Sequence, residues 1–163
     1  MYKNWMCCLV IIALIGFTGC KKKGPDDMPK LYPCTITVTM GNSPVDNALI
    51  YLSPKSETQQ KWYASGFTDA GGVCSVKTIS EYKGAAEGEY TVIITKEIVD
   101  PEWKADPNNL TPPVNVSAIP LQYSDAKETP LSVTVQKETN NFNLELEPFK
   151  SGSYARYKIF PGR

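Results

Sequence analysis

Apolar and polar side chains trade places with a period of two through most of residues 34–146. Cys34, Ile36, Val38 and Met40 alternate with Thr35, Thr37 and Thr39. Strict alternation among β-branched residues predicts a strand with one buried face. The same period predicts strand two over 48–52, with Ala48, Ile50 and Leu52 inward, and strand five over 90–95, with Tyr90, Val92 and Ile94 inward. Strand three is expected over about 61–68 and strand four over 73–78, strand six over 131–135 and strand seven over 141–146. Gly41-Asn42-Ser43-Pro44 turns the chain after strand one. Thr68-Asp69-Ala70-Gly71-Gly72 predicts a hairpin between strands three and four. There Asp69 can bond its own backbone two residues on, and glycine supplies the positive φ of a tight reversal. The stretch from Glu97 to Thr129 holds Pro101, Pro107, Pro112, Pro113 and Pro120. It reads as a long loop with a short helix near 124–127, and as the region best suited to meet a partner.

This pattern predicts an all-β fold, a seven-stranded antiparallel β-sandwich over 34–148. Residues 20–33 are polar and proline-bearing and read as a flexible tether. Residues 149–163 form a tail whose Tyr154, Tyr157 and Phe160 are spaced to dock on the domain.

Charge and composition narrow the chemistry. Lysine plus arginine number 17 and aspartate plus glutamate 17, so no charge field points to nucleic acid. The chain has no histidine, which removes His general bases, Ser-His-Asp and Cys-His pairs, and His-ligated metals. Asp26, Asp27, Asp69, Asp100, Glu102, Asp106 and Asp125 are the noticeable acids, and none has calcium-loop spacing. Asp69 reads as the organiser of its turn. No catalytic residue, metal site or cofactor is nominated, and the chain is read as non-enzymatic.

The first residues read as an address. Lys3 lies ahead of an almost unbroken apolar run from Cys7 to Phe17, which ends in Phe17-Thr18-Gly19-Cys20. The run has the length of a signal h-region and is short for a membrane span. It resembles the signal of bacterial lipoproteins, which implies cleavage after residue 19 and acylation of Cys20. Membrane lipid would then be the first partner, through acyl chains that each contribute ~0.8 kcal/mol per buried CH₂. Lys21 follows the cysteine, which resembles outer-membrane sorting in enteric bacteria. The expected location is the cell envelope, periplasmic or surface-facing.

Cys7 and Cys8 leave with such a signal, so Cys34 and Cys74 remain, both on the inward phase of their strands. Outside the cytoplasm such a pair reads as a disulfide, worth about 4 kcal/mol for a loop of roughly 40 residues. The alternative is two reduced cysteines packed as small hydrophobes. Trp62, Tyr63, Trp103 and Tyr123 fall on or near predicted loops. They form either a platform for a sugar or peptide or a cover for the ends of the sandwich.

A family resemblance follows from these motifs. Ser43-Pro44-Val45-Asp46-Asn47-Ala48-Leu49-Ile50-Tyr51-Leu52 resembles the G-x-P-V-x-G-A-x-V-x-F segment of bacterial carboxypeptidase-regulatory-like domains. The Gly66–Val76 turn resembles their T-D-x-x-G-x-F-x-F segment, with Cys74 where an aromatic is usual, and Gly88-Glu89-Tyr90-Thr91-Val92 resembles P-G-x-Y-x-V. Residues 119–125 and 129–135 resemble the end of small lipoproteins of this class from Planctomycetes. The resemblance spans most of 34–148 and implies a transthyretin-like sandwich. It specifies fold rather than activity. Transthyretin-like hydroxyisourate hydrolases use histidines and a Tyr-Arg-Gly-Ser sequence, and neither occurs here. Collagen-adhesin B-type domains carry Lys–Asn isopeptide bonds, for which Lys30 with Asn141 or Asn143 is the one remote pairing. The expected function is a lipid-anchored module that binds a protein or envelope component; the alternative is a carbohydrate-binding module using the exposed aromatics.

Overall fold

The computed structural model describes residues 24–104, 112–152 and 154–156. The signal segment with Cys7, Cys8 and Cys20, the lysines 21–23, Asp106, Tyr157 and Phe160 lie outside the described residues.

The described chain is an all-β sandwich. Its main strands are β1 (Cys34–Met40), β2 (Leu49–Pro54), β3 (Ala64–Phe67), β4 (Val73–Ser75), β5 (Gly88–Thr95), β6 (Ser132–Val135) and β7 (Asn140–Leu146). One sheet runs β6-β5-β2-β3 and continues through the short strands Lys77–Thr78 and Tyr82–Lys83. The other centres on β1, flanked by β7 on one edge and by β4 with Ser43–Pro44 on the other.

The core is the set of inward positions that the alternation predicts. Ile36 and Val38 from β1 meet Ile50 and Leu52 from β2 and Tyr90, Val92 and Ile94 from β5, all with no exposed surface. Val133, Val135 and Leu146 close the stack from β6 and β7. Each such side chain contributes about 1.5–3 kcal/mol on full burial.

Several expectations change. The pair β7–β1 is parallel, with Asn140 level with Cys34 and Leu146 with Met40, so the sandwich is not wholly antiparallel. The Asp69 turn does not close a hairpin within one sheet. β3 pairs with β2, whereas β4 pairs with β1 across Thr35↔Ser75, Ile36↔Cys74 and Thr37↔Val73. The chain therefore changes sheets at the turn. It changes back at Val76, whose N–H reaches the Cys34 carbonyl at 3.2 Å, before Lys77–Thr78 rejoins β3. Strand four is thus two short strands joined at a corner. Asp69 organises the turn as expected: its Oδ1 accepts from the N–H groups of Gly71 and Val73, both at 2.9 Å. Gly72 has φ +76, and a Cβ there would lie 2.5 Å from the Val38 carbonyl oxygen. Only glycine fits both demands.

Gly41 and Asn42, with φ 56 and 65, make a two-residue reversal that pairs Met40 with Ser43. The tether is shorter than expected, because Leu31–Tyr32 pairs with Ala85–Ala86. The proline-rich stretch is partly ordered: Glu97–Val99 pairs with Asn115–Ser117, and a 3-10 turn occupies Leu121–Ser124. Residues 57–62, assigned in part to strand three, form another 3-10 turn.

Candidate functional site

The sheet change leaves an open corner beside β3. Inward Ile50 and Leu52 make Leu49 and Tyr51 outward positions, and the register carries that face to β3 as Leu49↔Phe67 and Tyr51↔Ser65. Ser65 in turn lies level with Lys77. Phe67 is 64% exposed, a large aromatic left in water.

Above Ser65 sits the turn 78–81. The Glu81 N–H donates to the Thr78 carbonyl at 3.1 Å, and Ile79 and Ser80 have φ 46 and 61. Two consecutive positive φ values define a reversal that normally takes Asn-Gly. Isoleucine there is strained, at a cost of about 1–2 kcal/mol. The Ile79 N–H holds the turn to the Tyr63 carbonyl at 2.9 Å. The turn sets Ser80 Oγ 3.2 Å from Ser65 Oγ.

Phe67, Ser65, Ser80, Ser75 and Lys77 line a cleft of about 390 Å³ over Gly66. A second cleft, of about 380 Å³, shares Ser75 and Lys77 and adds Lys83, Thr35 and Gly84. Thr78 pairs with Tyr82 and Lys77 bridges to Gly84, so Lys77 and Lys83 line one hollow. This composite cleft went unnoticed in the sequence. The φ-positive Ile-Ser turn carries no glycine to announce it, and the sharing of Ser75 and Lys77 depends on the sheet change.

The aromatic residues singled out in the sequence do not assemble into a platform. Trp62 is 6% exposed and Tyr123 2%. The Tyr123 hydroxyl accepts the Glu147 N–H at 2.9 Å. These two side chains are buried in the interior. Tyr63 stacks on Tyr51 with ring centroids 5.1 Å apart, on the outer face of β2. Trp103 is half-buried and follows the far end of β5, with its N–H on the Asp100 carbonyl at 2.9 Å.

Cys34 and Cys74 are buried and free, so the expected disulfide is corrected. The register explains it: Cys74 lies opposite Ile36, and Cys34 is displaced from it by two residues along β1. Diagonal neighbours on one face stand about 7–8 Å apart, wider than disulfide geometry takes. Burial pushes the Cys34 thiol up to about 12, with the neighbouring Cys74 adding to the rise. Burial also pushes Cys74 up to about 11, with Asp69 adding. Such thiols are inert. Lys30 lies 5.3 Å over the Tyr32 ring, and Asn141 and Asn143 are exposed, so no buried isopeptide site is set up.

The tail makes a clamp. Ala155 exchanges backbone hydrogen bonds with Ser117, at 2.7 and 2.8 Å, extending the small Glu97–Ser117 ribbon. On either side of it Tyr154 donates to Glu102 at 2.8 Å, and Arg156 donates twice to Asp100, at 3.1 and 3.0 Å, and once to Glu102 at 2.6 Å. Asp100 is held below its ordinary range by the Glu102 N–H and by Arg156. Glu102 is lowered by the Tyr154 hydroxyl and then by Arg156. Tyr154 and Arg156 share a side because an extended chain alternates.

Among the described residues no cluster of three or more His, Cys, Asp and Glu side chains is arranged to hold a metal. Nor is any helix there long and apolar enough to cross a membrane. No known protein family, curated protein or solved structure matches the chain.

Proposed function

We propose that the protein is a lipid-anchored, non-enzymatic module of the bacterial cell envelope, held by acylated Cys20 and built on a transthyretin-like sandwich that binds an envelope component. The observation that carries this reading is the apolar run from Cys7 to Phe17 ending in Gly19-Cys20, followed by a short charged tether. Two or three acyl chains hold a protein on a bilayer durably, whereas one does so marginally. The rigid sandwich then presents its outer face and the corner beside Phe67. Phase partition tests the anchor. Protein from a bacterial host with lipoprotein processing is expected in the detergent phase, and Cys20→Ser in the aqueous phase. Wild-type protein in the aqueous phase would overturn the reading.

A further inference from the structure

We propose that the two linked clefts at the β3 corner bind an acidic saccharide chain, with a sugar ring stacked on Phe67 and a carboxylate held between Lys77 and Lys83. This deepens the envelope-module reading and rests on it.

Three features favour that ligand class. Phe67 presents an aromatic face to water, at the outer end of its strand, where the C–H face of a sugar ring can lie on it. Next to it Ser65, Ser75 and Ser80 offer hydroxyls that both donate and accept, which matches the mixed pattern of sugar hydroxyls. The strained Ile79–Ser80 turn holds one of these hydroxyls in place, and local strain of this kind gathers at binding sites.

The fourth feature sets the charge. Lys77 and Lys83 lie on adjacent strands and line the same hollow. Like charges that border one hollow repel, and an anion between them reverses the sign of that interaction. Each cleft, at about 390 and 380 Å³, falls in the lower range of small-ligand sites, and the two adjoin at Ser75 and Lys77. Two adjoining clefts suit a chain of sugars better than a single ring. Phe67 is the one large exposed aromatic in the first cleft and is interrupted by serine and lysine, which is a poor surface for a protein hot spot.

Titration calorimetry on the full-length, detergent-solubilised protein tests this with tetragalacturonate, cellotetraose and inorganic phosphate. Tetragalacturonate is expected to bind, more weakly as salt rises. Cellotetraose is expected to bind about tenfold less tightly, the equivalent of two exposed ion pairs. The double variant Lys77→Gln/Lys83→Gln should bring tetragalacturonate to the cellotetraose level. Phe67→Ala should weaken both sugars, and Phe67→Leu, which keeps the apolar bulk but not the ring, should do the same. Circular dichroism checks that each variant is folded. Silence with tetragalacturonate overturns the proposal, as does binding untouched by these variants. Phosphate binding as tight as the acidic sugar, and indifferent to Phe67, would make the corner a simple anion site and also overturn it. Phase partition of the same preparation separates this failure from failure of the anchor.

Discussion

Gly66→Ala isolates the contact on which the sheet change depends. Gly66 pairs with Ile50 and occupies an inward position on β3. A Cβ built there would lie 2.6 Å from the Cys74 Sγ and 3.4 Å from the Ser75 carbonyl oxygen. The glycine is therefore the space into which β4's thiol packs as the chain crosses between sheets. Over-packing of this kind costs about 1–3 kcal/mol. Replacing a strand glycine returns roughly 0.5–1 kcal/mol, because glycine loses the most freedom on folding. A net loss of about 1–2 kcal/mol is expected. In a Cys74→Ala background the obstructing sulfur is gone, and the same substitution should become neutral or stabilising by up to about 1 kcal/mol. Chemical denaturation followed by circular dichroism, run on the four proteins of the double-mutant cycle, reads the difference. An interaction energy of roughly 2 kcal/mol supports the packing. Additivity within about 0.5 kcal/mol would refute it.

Three further outcomes are expected. Asn140 is buried; its Oδ1 accepts the Gln136 N–H at 2.9 Å and its Nδ2 donates to the carbonyls of Glu138 at 2.7 Å and Gln136 at 3.1 Å. Because this side chain fixes the crossover from β6 to β7, Asn140→Ala should cost about 2 kcal/mol in the same denaturation assay; a loss under about 0.5 kcal/mol would contradict that role. Peptide mapping after alkylation near pH 8 should leave Cys34 and Cys74 unmodified in native protein and modify both after unfolding without reductant, whereas recovery of a linked Cys34–Cys74 peptide would reject the free-thiol structure. Asp100 and Glu102 have folded values held below their ordinary 3.8 and 4.5, so their contribution is present above those values and lost as pH falls through the lowered ones. Proteolysis by an acid-active protease should accordingly cut around residues 147–156 more readily as pH drops below about 4, and a cutting rate flat across that range would contradict the clamp.

The alternation made the sandwich legible because β1, β2, β5 and β7 each bury one face. Period two says nothing about direction, however, and the parallel pairing of β7 with β1 buries the same Phe142, Leu144 and Leu146 face that an antiparallel one would. Nor does it report a change of sheet. Cys74, Val76 and Thr78 are all buried, so the pattern runs unbroken through a corner that sends β4 and Lys77–Thr78 into different sheets. The disulfide expectation failed for the same reason: a shared face is readable locally, whereas the two-residue offset of Cys34 from Cys74 is set by pairing across the chain. Trp62 and Tyr123 fell on short 3-10 turns whose inner side carries a lone aromatic, which a strand or helix period does not mark. The cleft beside Phe67 needed the register Leu49↔Phe67, the corner at Val76 and the left-handed Ile79–Ser80 turn together. The clamp needed Tyr154 and Arg156 brought to Asp100 and Glu102 over more than fifty positions of sequence.

The anchored-module account is tested most directly by the intact mass of the protein recovered from membranes of a host that processes lipoproteins. The account predicts a chain that begins at Cys20 and carries the added mass of a diacylglyceryl group, with or without a further acyl chain. A chain that still retains residues 1–19, or one that begins at Cys20 without lipid, would contradict it.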